Sequence, residues 1–288
     1  MIFFKSILSL YLIKEGDCLK LAVNYSKEAE NLVKNESVHV DLFKCPGFSH
    51  DLVQHAQSIK PCYVHFGLNA GSQTVHEADW NQIKELKEKT STPYVNVHAV
   101  AFTKDYPNFD IFTTNPKEVT EIIEATIRDI ELVAEKFGRE NIIVENVICR
   151  GKGENMIKAI IEPDVLSKII DETGVNFLCD TAHAQMTSKS LGLNVYEYIS
   201  KLPLEHLKEL HITGIQPDQN GRLRDSMPMS DDNWKLASWV IKRIKDGDWP
   251  KPWAVAFEYG GIGPHFGWRS DEDVLAKQLP ILHELIYK

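Results

Sequence analysis

Short apolar runs alternate with amphipathic segments from one end of the chain to the other. Chains with this alternation form parallel sheets covered by helices. No Gly/Ser-rich linker or low-complexity tract divides the 288 residues. We therefore predict an α/β fold in a single domain over residues 1–288, a (β/α)8 TIM barrel, with a doubly wound sheet as the alternative. The eight apolar runs are CLKLAVNY, SVHVDLF, PCYVHFGL, PYVNVHAVAF, NIIVENVI, VNFLCDTA, LKELHITGI and WAVAFEYGG.

The segment NPKEVTEIIEATIRDIELVAEKFG carries the clearest helix signals. Asn115 is suited to cap its N-terminus, Pro116 takes the first helical position, and Glu118 stands where a capping-box carboxylate would. Gly138 follows the last apolar residue as a stop signal. The apolar residues between them recur with a period of about 3.6 residues. The segment therefore predicts a helix with one buried and one charged face.

Charge and cysteine content narrow the possible functions. The formal net charge of −9 disfavours binding to nucleic acid or to an anionic membrane. The five cysteines are scattered and form no C-x-x-C pair, which is typical of reduced thiols in a cytoplasmic protein. The apolar start MIFFKSILSLYLIKEG suggests a signal peptide, but Lys5 interrupts it and no small-residue cleavage site follows. We expect a cytoplasmic protein without a membrane span.

Residues of metal-ligand type stand at the ends of the predicted strands. In a TIM barrel these C-terminal strand ends surround the active site. In VNVHAV, Asn96 and His98 share one face of the strand while Val95 and Val97 share the other, so His98 and Asn96 point to the same side. The strand-end residues are His65, His98, Glu145, Asp180 followed by His183, His211 and Glu258.

A bound cation explains this set. Burying several imidazoles and carboxylates without counter-charges would cost several kcal/mol per ion. The mixture suits Zn²⁺, Fe²⁺, Mn²⁺ or Co²⁺, and the lack of a thiolate argues against a purely structural zinc site. Asp180 and His183 can face one cavity from different heights and so serve two neighbouring ions. We predict a divalent transition-metal cofactor, with two ions of Fe, Zn or Mn at the barrel mouth.

Two other function classes remain open. Glu145 and Glu258 could be the paired carboxylates of a metal-free glycoside hydrolase, although the histidines would then have no role. The chain could also be a non-catalytic barrel that binds a metabolite or a partner protein. Metal content separates the metal-dependent enzyme from both alternatives.

The ordered ligand set resembles the xylose-isomerase-like TIM barrel superfamily, which includes sugar isomerases, epimerases and endonuclease IV. The second His of the Asp-x-His pair is missing, because RLRDSMPM offers Met227 after Asp225. The endonuclease IV pattern of His, His, Glu, Asp-x-x-His, His, Asp-x-His and Glu falls on His65, His98, Glu145, Asp180, His183, His211, Asp225 and Glu258.

The resemblance implies a role for each of these residues. Glu145 would bridge two ions, and His65 and His98 would complete the first site. His183 and Asp225 would either hold a weak third ion or act as catalytic acid and base. The second ion would be completed by Asp180, His211 and Glu258. The residues expected to contact the substrate are Asn146, Gln185, Gln216 and Arg224.

Short sequence motifs between about Tyr63 and Glu258 resemble another branch of the superfamily more closely. YVHFGLNAGS is similar to HGVGLSLGS, NIIVENVI to the ENPSSY strand, and KLPLEHLKELHITGI to LPLDAVGEIHLAGH of an uncharacterised bacterial family. That family contains the multinuclear iron enzymes of methanobactin biosynthesis, which oxidise a peptidyl cysteine with O2 alongside a partner protein. This chain departs from it where DVNNVYVSA becomes DTAHAQMTS, since an Asn is replaced by His183. The resemblance implies a small-molecule or peptide substrate.

Overall fold

The computed structural model describes residues 19–288 as strands alternating with helices. The strands are β1 (Lys20–Asn24), β2 (Leu42–Pro46), β3 (Cys62–His65), β4 (Leu68–Ala70), β5 (Val95–Ala99), β6 (Ile142–Glu145), β7 (Asn176–Asp180), β8 (Leu207–Ile212), β9 (Gly214–Pro217), β10 (Leu223–Met227) and β11 (Ala254–Phe257). The helices are α1 (Lys27–Lys34), α2 (His50–Ile59), α3 (Trp80–Lys89), α4 (Pro116–Phe137), α5 (Pro163–Thr173), α6 (Thr181–Leu191), α7 (Val195–Ser200), α8 (Asp231–Lys245), α9 (Gly263–Phe266) and α10 (Glu272–Tyr287). The N-terminal run predicted to resemble a signal peptide lies outside the described residues.

Nine of these strands form one parallel sheet. Its order is β3-β2-β1-β11-β8-β7-β6-β5-β4, and each of the eight predicted apolar runs contributes a strand. The prediction of an α/β fold is confirmed. The sheet has nine strands where the prediction had eight, because the third run is broken into β3 and β4.

The break in the third run joins the two edges of the sheet. β3 pairs with β2 and β4 pairs with β5, and only Phe66 and Gly67 separate the two strands. Oδ1 of Asn96 on β5 accepts hydrogen bonds from both backbone N–H groups, at 2.5 and 3.1 Å. Gly67 has a φ of +62°, a conformation that a side chain disfavours. Asn96 thus replaces the strand pairing that is lost at the break.

The second strand lies later in the chain than its apolar run predicts. The run is SVHVDLF, whereas β2 has the sequence LFKCP and pairs with β1 and β3. A strand covered on both faces has no alternation of apolar and polar residues to mark its position. Leu42 belongs to the interior cluster with Ala22, Tyr63 and Ala256, so Lys44, two residues later, faces the same interior.

The helix α4 confirms the predicted signals. Asn115 caps it by accepting from the backbone N–H of Lys117, Pro116 is its first residue, and Gly138 ends it at a φ of +83°. The carboxylate of Glu118 accepts from the Thr113 hydroxyl in place of the expected capping-box bond. Within residues 19–288, no helix has the length and apolar character that a membrane span requires.

A small antiparallel pair, β9 and β10, follows β8. The pairing shifts register between Arg224 and Met227, and Ser226 adopts a φ of +52°. This bulge turns the β10 backbone at the residues that face the strand ends. It brings Asp225 and Ser226 to the cavity described next.

Candidate metal centre

A cavity of about 290 Å³ lies at the C-terminal ends of the strands. Six of the eight predicted ligands line it. Asp180 and His211 lie beside it and are buried to 1% and 0% exposure. The structure therefore brings the eight residues together at one end of the sheet. The lining residues are Asn24, Tyr25, Lys44, Cys45, Pro46, Phe48, His65, His98, Glu145, His183, Asp225, Ser226, Glu258, Gly260, Gly261, Ile262 and Phe266.

Glu145, the last residue of β6, is the centre of the cluster. Its Oε2 lies 3.1 Å from Nε2 of His98 and 3.5 Å from Nε2 of His65. Its Oε1 lies 3.4 Å from Nδ1 of His183 and 3.7 Å from Nδ1 of His211. Burial raises the pKa of this carboxyl, but the neighbouring imidazoles, His98 first, bring it well below the usual range. Glu145 is an ionised carboxylate within reach of four imidazoles.

The two carboxylate oxygens of Asp180 have different roles. Its Oδ1 caps α6 by accepting from the backbone N–H of His183 at 2.7 Å. The side chain of Asn146, the residue after β6, holds the Asp180 backbone by accepting from its N–H at 2.9 Å and donating to its carbonyl at 3.0 Å. Oδ2 has no hydrogen-bond partner. The three-residue spacing between Asp180 and His183 is therefore a helix cap that leaves one carboxylate oxygen for the cavity.

His183 is oriented by the backbone. Its Nδ1 donates to the carbonyl of Asn146 at 2.8 Å, which directs Nε2 towards Oδ2 of Asp225 at 3.5 Å and Oδ2 of Asp180 at 3.7 Å. Burial lowers the pKa of His183, but Asp180 and the other carboxylates raise it to about 10. Without a metal ion, this imidazole is protonated.

Glu209, two residues before His211 on β8, orients the His211 imidazole. The sequence analysis did not predict this role. Its Oε1 accepts from Nε2 of His211 at 2.9 Å and from the Tyr63 hydroxyl at 2.8 Å, and its Oε2 accepts from the Trp253 indole at 3.2 Å. A carboxylate on one imidazole nitrogen fixes the tautomer and frees the other for a metal. Nδ1 of His211 lies 3.1 Å from Oε1 of Glu258. The i, i+2 spacing in LKELHI was the available signal, because it puts both residues on one strand face.

Lys44 was also missed, and its Nζ forms an ion pair with Oε1 of Glu258. Both side chains are largely buried, at 7% and 14% exposure. Burial lowers the pKa of Lys44, but Glu258 raises it above the ordinary value. Burial likewise raises the pKa of Glu258, whereas His211 and Lys44 bring it to about 2. The cluster therefore contains a fixed ammonium group beside one of its predicted ligands.

Asp225 is held by Arg269, a third residue that the sequence did not suggest. Nη1 of Arg269 donates to Oδ1 of Asp225 at 3.1 Å and to its carbonyl at 2.7 Å. Ser226 lines the cavity next to Asp225, whereas Met227, the residue expected at the missing ligand position, is not among the lining residues. The bulge in β10 shifts the register by one residue relative to the expected pattern.

The four residues expected to contact substrate do not line the cavity. Asn146 clamps Asp180, as described above. Gln185 accepts from Asn233 at 2.7 Å, Gln216 donates to the Pro228 carbonyl at 2.9 Å, and Arg224 donates to Asp218 at 2.9 Å. Each side chain already has a protein partner. In the structure these residues position other groups, and their contact with a substrate stays a prediction.

The donor set fits a divalent metal ion. Three buried atoms of the cluster have no hydrogen-bond partner: Glu145 Oε2, Asp180 Oδ2 and His211 Nδ1. Such atoms are costly unless a cation or another partner is bound. Among the described residues, three groups could hold an ion. Two are the Glu145 groups, His65–Glu145–His211 and Glu145–Asp180–His183, and the third is the Glu258 group, Asp180–His211–Glu258.

A family model described as "RiPP precursor modification enzyme MbnB/TglH/ChrH" matches residues 27–251. The chain belongs to this family. It is 28% identical over 128 residues to a UPF0276 protein of Caulobacter sp. (strain K31), a match covering 42% of this chain and 45% of that protein. A UPF0276 protein of Acaryochloris marina (strain MBIC 11017) is 23% identical over 198 residues, covering 66% and 70%. The chain thus spans less than half of the first relative's length.

Solved structures with the same fold come from sugar epimerases and endonucleases. An AP endonuclease of family 2 from Brucella melitensis aligns with a TM-score of 0.57 at 14% identity, over 91% of this chain and 99% of that one. A D-psicose 3-epimerase from Clostridium cellulolyticum H10 aligns with a TM-score of 0.54 at 12% identity, over 93% and 98%. These likenesses show that the chain has the TIM-barrel-like fold of these structures.

Proposed function

We propose that the protein is a metal-dependent enzyme that modifies a ribosomally synthesised precursor peptide. Membership of the MbnB/TglH/ChrH family supports the substrate class. The observation that carries the proposal is the convergence of four imidazoles on the buried carboxylate of Glu145. A cysteine of the peptide is the proposed reacting group, with O2 as oxidant and iron as the metal.

The Glu145 groups would hold two ions. Glu145 can serve both, because it is the residue that the two groups share. Its Oε2 lies near His65 and His98, and its Oε1 lies near His183 and His211. A metal ion bound there would act as a Lewis acid and lower the pKa of a bound ligand. Glu209 contributes by holding the tautomer of His211.

When His183 does not ligate an ion, His183 and Asp225 are the proposed acid and base; Nδ1 of His183 already donates to the Asn146 carbonyl, so Nε2 either binds an ion or carries the proton. Nε2 of His183 lies 3.5 Å from Oδ2 of Asp225, so a proton can be held between them at the edge of the cavity. His183 is 15% exposed and Asp225 26%, which leaves both accessible to a substrate. Proton transfer by a positioned pair of this kind contributes about 10²–10⁴-fold to rate.

The rim of the cavity suits an apolar part of a peptide. Phe48, after β2, is 67% exposed, and Phe266, in α9, is 41% exposed. Both line the cavity together with Ile262. Exposed aromatic side chains at a cavity mouth are typical of ligand-contact positions. They would exclude water from a side chain that enters towards Glu145.

The metal-free glycosidase is disfavoured by the electrostatics. A glycosidase needs one carboxyl with a raised pKa to serve as the acid. Burial raises the pKa of both Glu145 and Glu258, but neighbouring cations lower it below the usual value. These cations are the surrounding imidazoles for Glu145, and His211 and Lys44 for Glu258. Neither carboxyl would carry a proton at neutral pH.

Metal analysis of anaerobically purified protein tests the proposal. We expect bound transition metal in the wild type and a large loss in Glu145→Gln, since both Glu145 groups lose their shared ligand. Glu172→Gln is the matched control, because Glu172 pairs with Lys168 on an exposed helix. Wild-type protein that neither retains nor rebinds a transition metal would refute the proposal.

The reaction is tested by exposure to air with a cysteine-containing precursor peptide. We expect O2 consumption and a mass change on the peptide that depends on Glu145. Epimerisation of a ketose by colourless protein, without O2 uptake, would contradict the peptide assignment and favour the sugar-epimerase branch.

A further inference from the structure

Lys44 lies in a position where a metal-binding enzyme would not be expected to keep a fixed cation. It is on the rigid strand β2 and faces the interior, as the cluster around Leu42 establishes. Its Nζ contacts Oε1 of Glu258, the same oxygen that lies 3.1 Å from Nδ1 of His211. The ammonium group and a metal ion that bound Glu258 through this oxygen, the one nearest His211, would therefore share it.

An ammonium group and a divalent ion cannot bind the same carboxylate oxygen at close range without strong repulsion. Two like charges about 4 Å apart repel by several kcal/mol at the effective dielectric of a protein. Lys44 is buried, so solvent cannot screen it. Its side chain would have to leave Glu258 before an ion could use that carboxylate. The Glu145 groups have no such competitor among the residues that contact their oxygens.

The charge balance of the cluster also indicates that Glu258 is neutralised by Lys44 and not by a metal ion. The predicted ligand set contains four carboxylates: Glu145, Asp180, Asp225 and Glu258. Lys44 pairs with Glu258, and Arg269 pairs with Asp225. These two fixed cations carry the charge of one divalent ion. The two other carboxylates, Glu145 and Asp180, are therefore the ones left for metal ions.

We propose that Lys44 is a built-in cation that holds Glu258, so that the Glu258 group binds no metal ion while the Glu145 groups do. The proposal rests on the proposed metal-dependent function for the Glu145 groups only. It assigns Glu258 to Lys44 and removes it from the ligands of the second ion.

Cobalt stoichiometry tests the assignment. Full-length protein is stripped with a chelator, dialysed against Co²⁺ without oxygen, and analysed by mass spectrometry and by visible absorption. Lys44→Met should bind one more Co²⁺ ion per chain than the wild type, because Glu258 becomes available. Lys44→Arg, which keeps the cation, should match the wild type. The double variant Lys44→Met/Glu258→Gln should also match it, since the extra position has lost its carboxylate.

Glu258→Gln in the wild-type background provides an independent measurement that does not require Lys44→Met to fold. If Lys44 holds Glu258, this variant binds as much Co²⁺ as the wild type. A loss of one ion in Glu258→Gln overturns the proposal, because it makes Glu258 a ligand. Equal Co²⁺ content in folded Lys44→Met and wild type also overturns it.

The outcomes separate this proposal from the proposed function. Co²⁺ in Lys44→Met but none in the wild type would support the role of Lys44 and refute the metal-dependent function. Co²⁺ in the wild type with no gain in Lys44→Met would leave the function standing and refute the role of Lys44. Absence of Co²⁺ from every variant would refute both.

Discussion

We expect the loss of the Asn96 side chain to lower both the stability of the fold and the metal affinity of the cluster. It is 3% exposed, and its Oδ1 accepts from the backbone N–H groups of Phe66 and Gly67 across the break between β3 and β4. Its Nδ2 lies 2.8 Å from Nε2 of His65. The side chain therefore closes the break in the sheet and orients a predicted ligand at the same time.

Asn96→Ala leaves two partly buried backbone donors without partners. Each such loss costs about 1–3 kcal/mol. Because Phe66 and Gly67 are only partly buried, we take the lower half of that range and expect about 2–4 kcal/mol in total. In a domain of this size, that corresponds to a fall in melting temperature of about 4–8 °C. His65 also loses the neighbour that holds its ring in position, so Co²⁺ affinity should fall as well.

The two effects are separated by a matched control. Asn176, at the start of β7, donates two side-chain hydrogen bonds to the carbonyls of Glu140 and Ile142, at 2.9 and 3.0 Å. It lies at the opposite end of its strand from Asp180. Asn176→Ala should lower stability and leave Co²⁺ affinity unchanged. Urea unfolding and Co²⁺ titration of both variants measure the difference.

Two results would refute this reasoning. A change in unfolding free energy below about 0.5 kcal/mol in Asn96→Ala would mean that Asn96 does not close the sheet. An equal loss of Co²⁺ affinity in Asn176→Ala would mean that the effect on the metal centre is a general consequence of lower stability.

Two further predictions concern an ion-pair cluster and the incomplete ligand set. Glu30 is buried, and although burial raises its pKa, bonds from Lys27, Lys34 and Tyr25 lower the pKa well below the ordinary value; its contribution to stability is therefore present above the unfolded-state pKa of about 4.3 and lost as the pH falls. The stability gap between wild type and Glu30→Gln in urea unfolding should accordingly shrink below about pH 4, and a gap that widens on acidification would contradict this. Met227→His should leave Co²⁺ content unchanged, because Met227 does not line the cavity; a gain of one ion would show that the endonuclease register applies.

The sequence was sufficient for the elements and for most of the candidate site. The apolar runs predicted where strands occur, because the interior of a parallel sheet must be apolar on both faces. The cap and stop residues of α4 were predicted because capping depends on local hydrogen bonds. Glu145 and Asp180 were predicted as ligands because several ionisable residues at the ends of buried strands would be costly without a bound cation.

Tertiary structure decided which of these residues have partners, and here the sequence was insufficient. Lys44 lies 214 positions from Glu258, and its strand has no alternation that would have shown it facing the interior. Arg269 reaches Asp225 from 44 positions away. The register of β10 depends on a bulge, in which a shift of one residue exchanges the inward and outward side chains. Periodicity reports that a side chain is buried, but the cations that meet each carboxylate are set by the packing of distant strands.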